Sequence, residues 1–183
     1  MLGLAIVGLP RAGKSEFLRI AAERGFACLE WSNILAPEIG LEAKGNRIKM
    51  HDAAARQVQS KGISHYPRKI FHVLSASAGV GHLVSGARNP RELECLGSYY
   101  SSFRVVWISS HYLARFTRRA KDDKAGSSGN LEEFVRQDMY ELAHGLAEIG
   151  CSLVNDMLFN DSDLQIYREA VLTYLSRFSA KGD

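Results

Sequence analysis

The chain has 183 residues, 23 Lys and Arg against 20 Asp and Glu, a net charge of +3, and 46% hydrophobic residues. That length fits one domain, the apolar content excludes a disordered chain, and so small a charge excludes a histone-like polycation or a dedicated membrane-surface binder. Three cysteines (Cys28, Cys95, Cys151) share no CxxC spacing, and the six histidines add no ligand pattern, so the thiols read as small packed hydrophobes and neither a disulfide framework nor a zinc site is expected. The opening MLGLAIVG lacks a basic leader and its apolar run stops at Gly8, Pro10 and Arg11. This points to neither a signal peptide nor a span of about 20 apolar residues, and a soluble, cytoplasmic protein is expected.

The apolar run 2–7, ended by Gly8, suits a strand buried on both faces of a parallel sheet. A helix follows over 14–24, with Phe17, Leu18 and Ala21 on one face and Gly25 as its stop. A second strand is expected at 26–31. Residues 32–61 read as mostly helical and polar, broken at Pro37, Gly40 and Gly45, with another helix over 67–77 and a third strand at 81–85. Asn89-Pro90-Arg91-Glu92 combines a capping Asn, Pro in the first helical position and Glu at the third, a helix start. FRVVWIS at 103–109 is a clear strand. A short helix at 112–119 leads into AKDDKAGSSGN, the one linker-like stretch. Asn130 and Glu133 then cap a helix whose Leu131, Phe134, Val135, Met139, Leu142, Leu146 and Ile149 keep a helical period. A final strand at 157–159 precedes a helix capped by Ser162 and Gln165, with Leu164, Tyr167, Val171, Tyr174, Leu175 and Phe178 inward. This β-α alternation predicts a parallel sheet covered by helices on both faces. Trp31 and Trp107 read as core; the Tyr99-Tyr100 pair looks exposed.

Gly8-Leu9-Pro10-Arg11-Ala12-Gly13-Lys14-Ser15 is GxxxxGKS in full. Its glycines let backbone N–H groups close on phosphate oxygens, Lys14 reaches the β- and γ-phosphates, Ser15 ligates Mg²⁺, and the following helix N-terminus adds partial positive charge.

Together with three further segments this loop resembles the P-loop nucleoside and nucleotide kinases, most closely the dephospho-CoA-kinase-like nucleotide kinases described mainly from archaea. The segments are Gly86-Ala87-Arg88-Asn89-Pro90-Arg91-Glu92; Arg115, Arg118 and Arg119 followed by Phe134 to Asp138 and Glu141; and Asp156 to Ser162 around Asn160. The resemblance implies an α/β fold of three α/β/α layers on a central parallel five-stranded sheet, a single domain over 1–183, a helical insertion on the acceptor side at about 32–78 and a small lid at about 115–130. It implies ATP and Mg²⁺ as cofactors, with Gly8, Leu9, Pro10, Arg11, Ala12, Gly13, Lys14, Ser15, Glu16 and Asn160 around the nucleotide and Ser15 on the metal. Asn160 would flank the adenine. Lys14, Arg88, Arg115, Arg118 and Arg119 would carry the transfer, Arg88 beside the acceptor phosphate. The implied partner is a small-molecule nucleotide acceptor, with no membrane and with homodimerisation left open.

The chain also departs from the family pattern. Asn33 stands where an Asp is usual after the second strand, Ala36 where an acceptor-binding Arg is expected, and Ser85 before the third-strand glycine; no strand end offers a Walker B carboxylate. An amide takes no proton, so acid–base help at 33 is expected to be lost, while charge neutralisation alone still supports transfer. Three readings follow: a phosphotransferase acting on a nucleotide or similar small phosphorylated metabolite; a nucleotide-binding or regulatory protein with an intact ATP site and an altered acceptor site; and, drawn from the basic stretch 115–124, a kinase of DNA or RNA ends. No long basic stripe supports the last, and nucleic acid is not the expected partner.

Overall fold

The computed structural model describes residues 1–40, 47–122 and 130–179. The expected break at Gly45 and residues 123–129 of the stretch expected to form the lid lie outside these residues. Five strands form one parallel sheet in the order β2-β3-β1-β4-β5: β1 (Leu2–Val7), β2 (Ala27–Glu30), β3 (His82–Ser85), β4 (Ser102–Ser109) and β5 (Asp156–Phe159). Central β1 pairs Gly3–Ile6 with β3 and Leu2–Val7 with β4. Its side chains alternate between two cores, which explains the unbroken apolar run. Leu4 and Ile6 pack with α1 (Lys14–Glu23) and α9 (Leu164–Ser179), whereas Ala5 and Val7 pack with Trp31, Tyr66, Leu93 and Ile149.

Between β2 and β3 run α2 (Trp31–Ile39), α3 (Arg47–Lys61) and α4 (His65–Ser75). Trp31, expected at the end of the second strand, opens α2 instead and is buried in the second core. The next helix begins two residues earlier than expected, at His65. Pro67 sits in its first turn, where a missing N–H leaves no intrahelical bond unmade. Asn89 caps α5 (Pro90–Gly97) as expected, with Oδ1 accepting from the Arg91 and Glu92 N–H groups. Trp107 is half-buried, Tyr99 and Tyr100 are half-buried in an aromatic cluster with Phe71 and Phe103, and Cys151 is exposed rather than packed.

After β4, α6 (Tyr112–Asp122) is longer than its predicted eight residues. The expected single amphipathic helix from 130 is a correction. It divides into α7 (Leu131–Glu141) and α8 (Ala147–Ser152), joined through a kink at Leu142–Leu146 where the His144 and Gly145 backbones leave the helical conformation. Leu131, Val135 and Met139 are 44%, 46% and 61% exposed, and Phe134, Asp138 and Glu141 face inward. The inward carboxylates meet the buried Arg115 and the half-buried Arg88, which sets the face of α7 against its apolar periodicity. The kink at His144 and Gly145 then redirects the chain so that Leu146 and Ile149 reach the core. The last helix is capped by Asp163, whose Oδ1 accepts from Ile166 N–H at 2.9 Å; Gln165 bonds Glu169 instead, and Leu164 points outward.

Gly145, at the kink, has φ +106°, and a Cβ there would lie 2.2 Å from the Arg88 carbonyl oxygen. Gly145→Ala is expected to lower stability by about 2–4 kcal/mol through backbone strain and overpacking. A shift of the urea midpoint with unchanged slope checks this.

Candidate functional site

The loop from Gly8 to Ser15 joins the C-terminal end of β1 to α1. Gly8, Arg11 and Gly13 have positive φ (141°, 63° and 108°). A Cβ on Gly8 would lie 2.5 Å from the Ile108 carbonyl oxygen and one on Gly13 2.2 Å from Asn160 Nδ2, so at both places only glycine fits. Side chains then claim the loop's carbonyls one after another. Lys14 Nζ donates to the Gly8 and Leu9 oxygens at 2.8 Å each. Arg115 holds Pro10 (3.2 Å), Arg118 holds Arg11 (3.2 Å), Asn160 holds Ala12 (2.8 Å) and the Tyr167 hydroxyl holds Gly13 (3.1 Å). In a planar peptide a carbonyl drawn one way turns the next N–H the other way. The N–H groups of Arg11, Gly13 and Lys14 are thereby turned from the tethers toward the loop's concave side. Gly13 caps α1 without a side chain, so the helix's first N–H groups have no intrahelical acceptors and face the same region.

That region is a cavity of about 650 Å³, within the size range of small-molecule sites. Pro10, Arg11, Gly13, Lys14, Ser15 and Glu16 line its loop side. Of the other expected site residues, Arg88 and Arg118 also line it, whereas Gly8, Leu9 and Ala12 do not. Arg115, Arg119 and Asn160, expected at the phosphoryl group or the adenine, are not among its lining residues either. Arg115 is buried beneath the loop, with Asp138 held bidentate at 2.9 and 2.6 Å and Nε on the Ser110 carbonyl. A guanidinium taken out of water needs such a full set of acceptors, which is why it braces rather than reaches. Asn160 is buried as well, its amide on Ala12 and its oxygens on Arg118. Arg119 lies over the Phe134 ring and bonds Gln137.

Arg88 approaches from the end of β3. Its Nε donates to the Glu141 carboxylate and its Nη1 to the Ala87 carbonyl, and His51 lies 3.8 Å from the same carboxylate. The wall opposite is apolar, formed by Trp31, Leu35, Met50, Ala54 and Val58 of α2 and α3.

Two carboxylates on the cavity escaped the sequence reading. Glu30, the last residue of β2, accepts a 2.7 Å bond from the Ser15 hydroxyl. Glu92 lines the cavity from α5, and burial pushes its carboxyl up to about 7. Position 33, where the family resemblance places an Asp, is an exposed Asn33 that lines a separate hollow of about 450 Å³ beside Pro37 and Lys69. Because the helix begins at Trp31, Glu30 remains at the carboxyl edge of the sheet and position 33 turns outward. Ala36 lies off the cavity; Ser85 lines it. The usable signal for Glu30 was its place as the last residue of a strand next to β3, at the edge where open α/β sheets bind ligands.

No family model matches the chain. It is similar to a UPF0200 protein of Methanothermobacter thermautotrophicus, 24% identical over 183 residues, covering 100% of this chain and 94% of the relative. A UPF0200 protein of Methanosarcina barkeri is 26% identical over 179 residues, covering 96% and 95%. Among solved structures it resembles TT1252 from Thermus thermophilus (TM-score 0.63, 16% identity, 99% and 98% covered). It also resembles shikimate kinase from Acinetobacter baumannii in complex with shikimate (0.57, 13%, 99% and 95%) and a gluconokinase from Sinorhizobium meliloti (0.59, 14%, 96% and 91%). At such identities the likeness is one of architecture: the chain has the three-layer α/β/α fold of the P-loop kinases, on a five-stranded, all-parallel central sheet.

Proposed function

We propose that the protein is a phosphotransferase that moves the γ-phosphoryl group of ATP to a nucleotide or similar small phosphorylated acceptor, within the group of dephospho-CoA-kinase-like nucleotide kinases. The observation that carries this reading is the glycine loop with its carbonyls tethered by side chains, opening on the same cavity as Arg88. Neutral peptide dipoles converging on one point bind phosphate oxygens, and Lys14 supplies a compact full charge at the loop. Arg88 and Arg118, on other parts of the cavity wall, offer guanidinium groups for the acceptor phosphate and for the transferring group. In the transfer an acceptor oxygen forms a bond to the γ-phosphorus while the bond to the β–γ bridging oxygen breaks, and ADP leaves with that electron pair.

The site fits a magnesium ion. The Ser15 hydroxyl and the Glu30 carboxylate are 2.7 Å apart at the loop, a pair of hard oxygen donors. When bound, the ion neutralises charge on the β- and γ-phosphates. Ser15 and Glu30 would hold it, and Glu30 orients the Ser15 hydroxyl. The alternative of a protein that binds nucleotide without transfer rested on Asn33, Ala36 and Ser85. Only Ser85 borders the cavity, and that reading is correspondingly weaker.

Incubation of the full chain with ATP and Mg²⁺ and, in turn, AMP, GMP, CMP, UMP and dephospho-CoA should yield ADP with at least one acceptor. Lys14→Ala should abolish it. Glu30→Gln is expected to lower kcat about 10–100-fold with a smaller change in ATP affinity, the range typical of groups that orient a metal ligand. ADP release no greater than that of Lys14→Ala on every acceptor overturns the proposal.

A further inference from the structure

Glu92 stands on the first turn of α5, four residues after Arg88, and lines the same cavity. It is only 7% exposed, and its Oε1 has no hydrogen-bond partner among the described residues. A glutamate in this position can return to the helix start as the second half of a capping box. Here Asn89 caps the helix and the Glu92 side chain turns inward instead. Among the described residues the other buried side-chain polar atom without a partner is the Tyr66 hydroxyl of α4; burial raises that phenol to about 12, with the charges of Glu38 and Glu92 adding to the shift. Tyr66 itself does not line the cavity. A carboxyl oxygen left buried and unpaired is destabilising, and natural proteins retain such a group where something else completes it.

The surroundings say what that something is. Arg88, paired with Glu141, offers a guanidinium on the cavity lining. Trp31, Leu35, Met50 and Val58 offer apolar walls, and Glu92 offers a hydrogen-bond acceptor among them. We propose that Glu92 is the specificity-determining residue of the acceptor half, accepting a hydrogen bond from an N–H or O–H group on the apolar body of an acceptor whose anionic end meets Arg88. This rests on the reading of the chain as a phosphotransferase. A sugar phosphate would leave most of its hydroxyls facing hydrocarbon, an unfavourable desolvation, whereas a flat heteroaromatic ring with one N–H edge fits both the walls and the carboxyl.

The test is equilibrium binding, by calorimetry on the full chain, of AMP, GMP, CMP, UMP, dephospho-CoA and, as a control without a ring base, glucose 6-phosphate. At least one ring-bearing compound should bind the wild type more tightly than glucose 6-phosphate does. Glu92→Ala should weaken that compound tenfold or more and raise its KM likewise, with ATP affinity and kcat within twofold. Glu92→Gln, which keeps one acceptor oxygen, should change the ranking within the panel, and Tyr66→Phe should leave it unchanged. The proposal is overturned if no ring-bearing compound binds the wild type, if the loss in Glu92→Ala is under tenfold, or if Tyr66→Phe reproduces it, since Glu92 would then serve the core alone. Absence of ADP formation with the binding loss intact defeats the transfer reading and not this one; turnover that ignores Glu92→Ala does the reverse.

Stability gives a separate readout. A carboxyl raised from 4.5 to about 7 by burial stabilises the fold in its neutral form. That contribution is complete below about pH 4.5 and is lost as the pH rises through about 7. The melting temperature of Glu92→Gln should therefore gain on the wild type across this interval. A carboxylate paired within the core would give the opposite trend.

Discussion

Six consecutive main-chain carbonyls, from Gly8 to Gly13, are each held by a side chain, and the geometry of the loop follows from that tethering. A peptide loop left to itself can rotate its amides to suit water. Fixing the carbonyls holds the loop's peptide planes in one arrangement, which the Ala12 N–H bond to the Leu9 carbonyl closes from within. The tethers come from α1, α6, the segment after β5, and α9. The loop therefore takes this shape only once the last helix of the chain has docked against the first, and its geometry is inseparable from global folding. Gly8 and Gly13 sit where neighbouring atoms occupy the space of a side chain, so the loop's shape is enforced from both sides.

The arginines divide their labour according to burial. Arg115, sealed beneath the loop, is satisfied by a bidentate carboxylate and two carbonyls, and its work is to hold Pro10 and Ser110 in place. Arg118 is half-exposed, does the same for Arg11 and Asn160, and still reaches the cavity. Asp138 and Glu141, three residues apart on one face of α7, serve two ends of the site at once, Asp138 through Arg115 under the loop and Glu141 through Arg88 at β3. That double duty accounts for the helix exposing three large apolar side chains. The kink that follows brings Gly145 against the Arg88 backbone and returns the chain to the core.

The cavity is polar at the loop and apolar on α2 and α3, and besides Glu16 and the Arg88–Glu141 pair it carries two carboxyls, Glu30 from a strand and Glu92 from a helix. Glu30 has a hydroxyl partner in Ser15, and the Oε1 of Glu92 has none among the described residues. The same residue type thus carries different chemistry in the two halves, set by what surrounds it rather than by its spacing in the chain.

Much of this was legible in the amino-acid sequence. Strands buried on both faces are continuous apolar runs, and GxxxxGKS can serve few backbone shapes, so local physics alone predicts the parallel α/β sheet and the loop after β1. Asn89 followed by Pro90 is likewise a local signal, and the helix starts there. The inward face of α7 was not legible, because periodicity counts apolar residues and takes no account of carboxylates paying for burial with arginines 23 and 53 residues away. Nor were the roles of Arg115, Asn160, Glu30 and Glu92. Whether an arginine braces or reaches, and whether a carboxylate faces a hydroxyl, hydrocarbon or water, depends on which distant segments pack around it, and only the tertiary structure decides that.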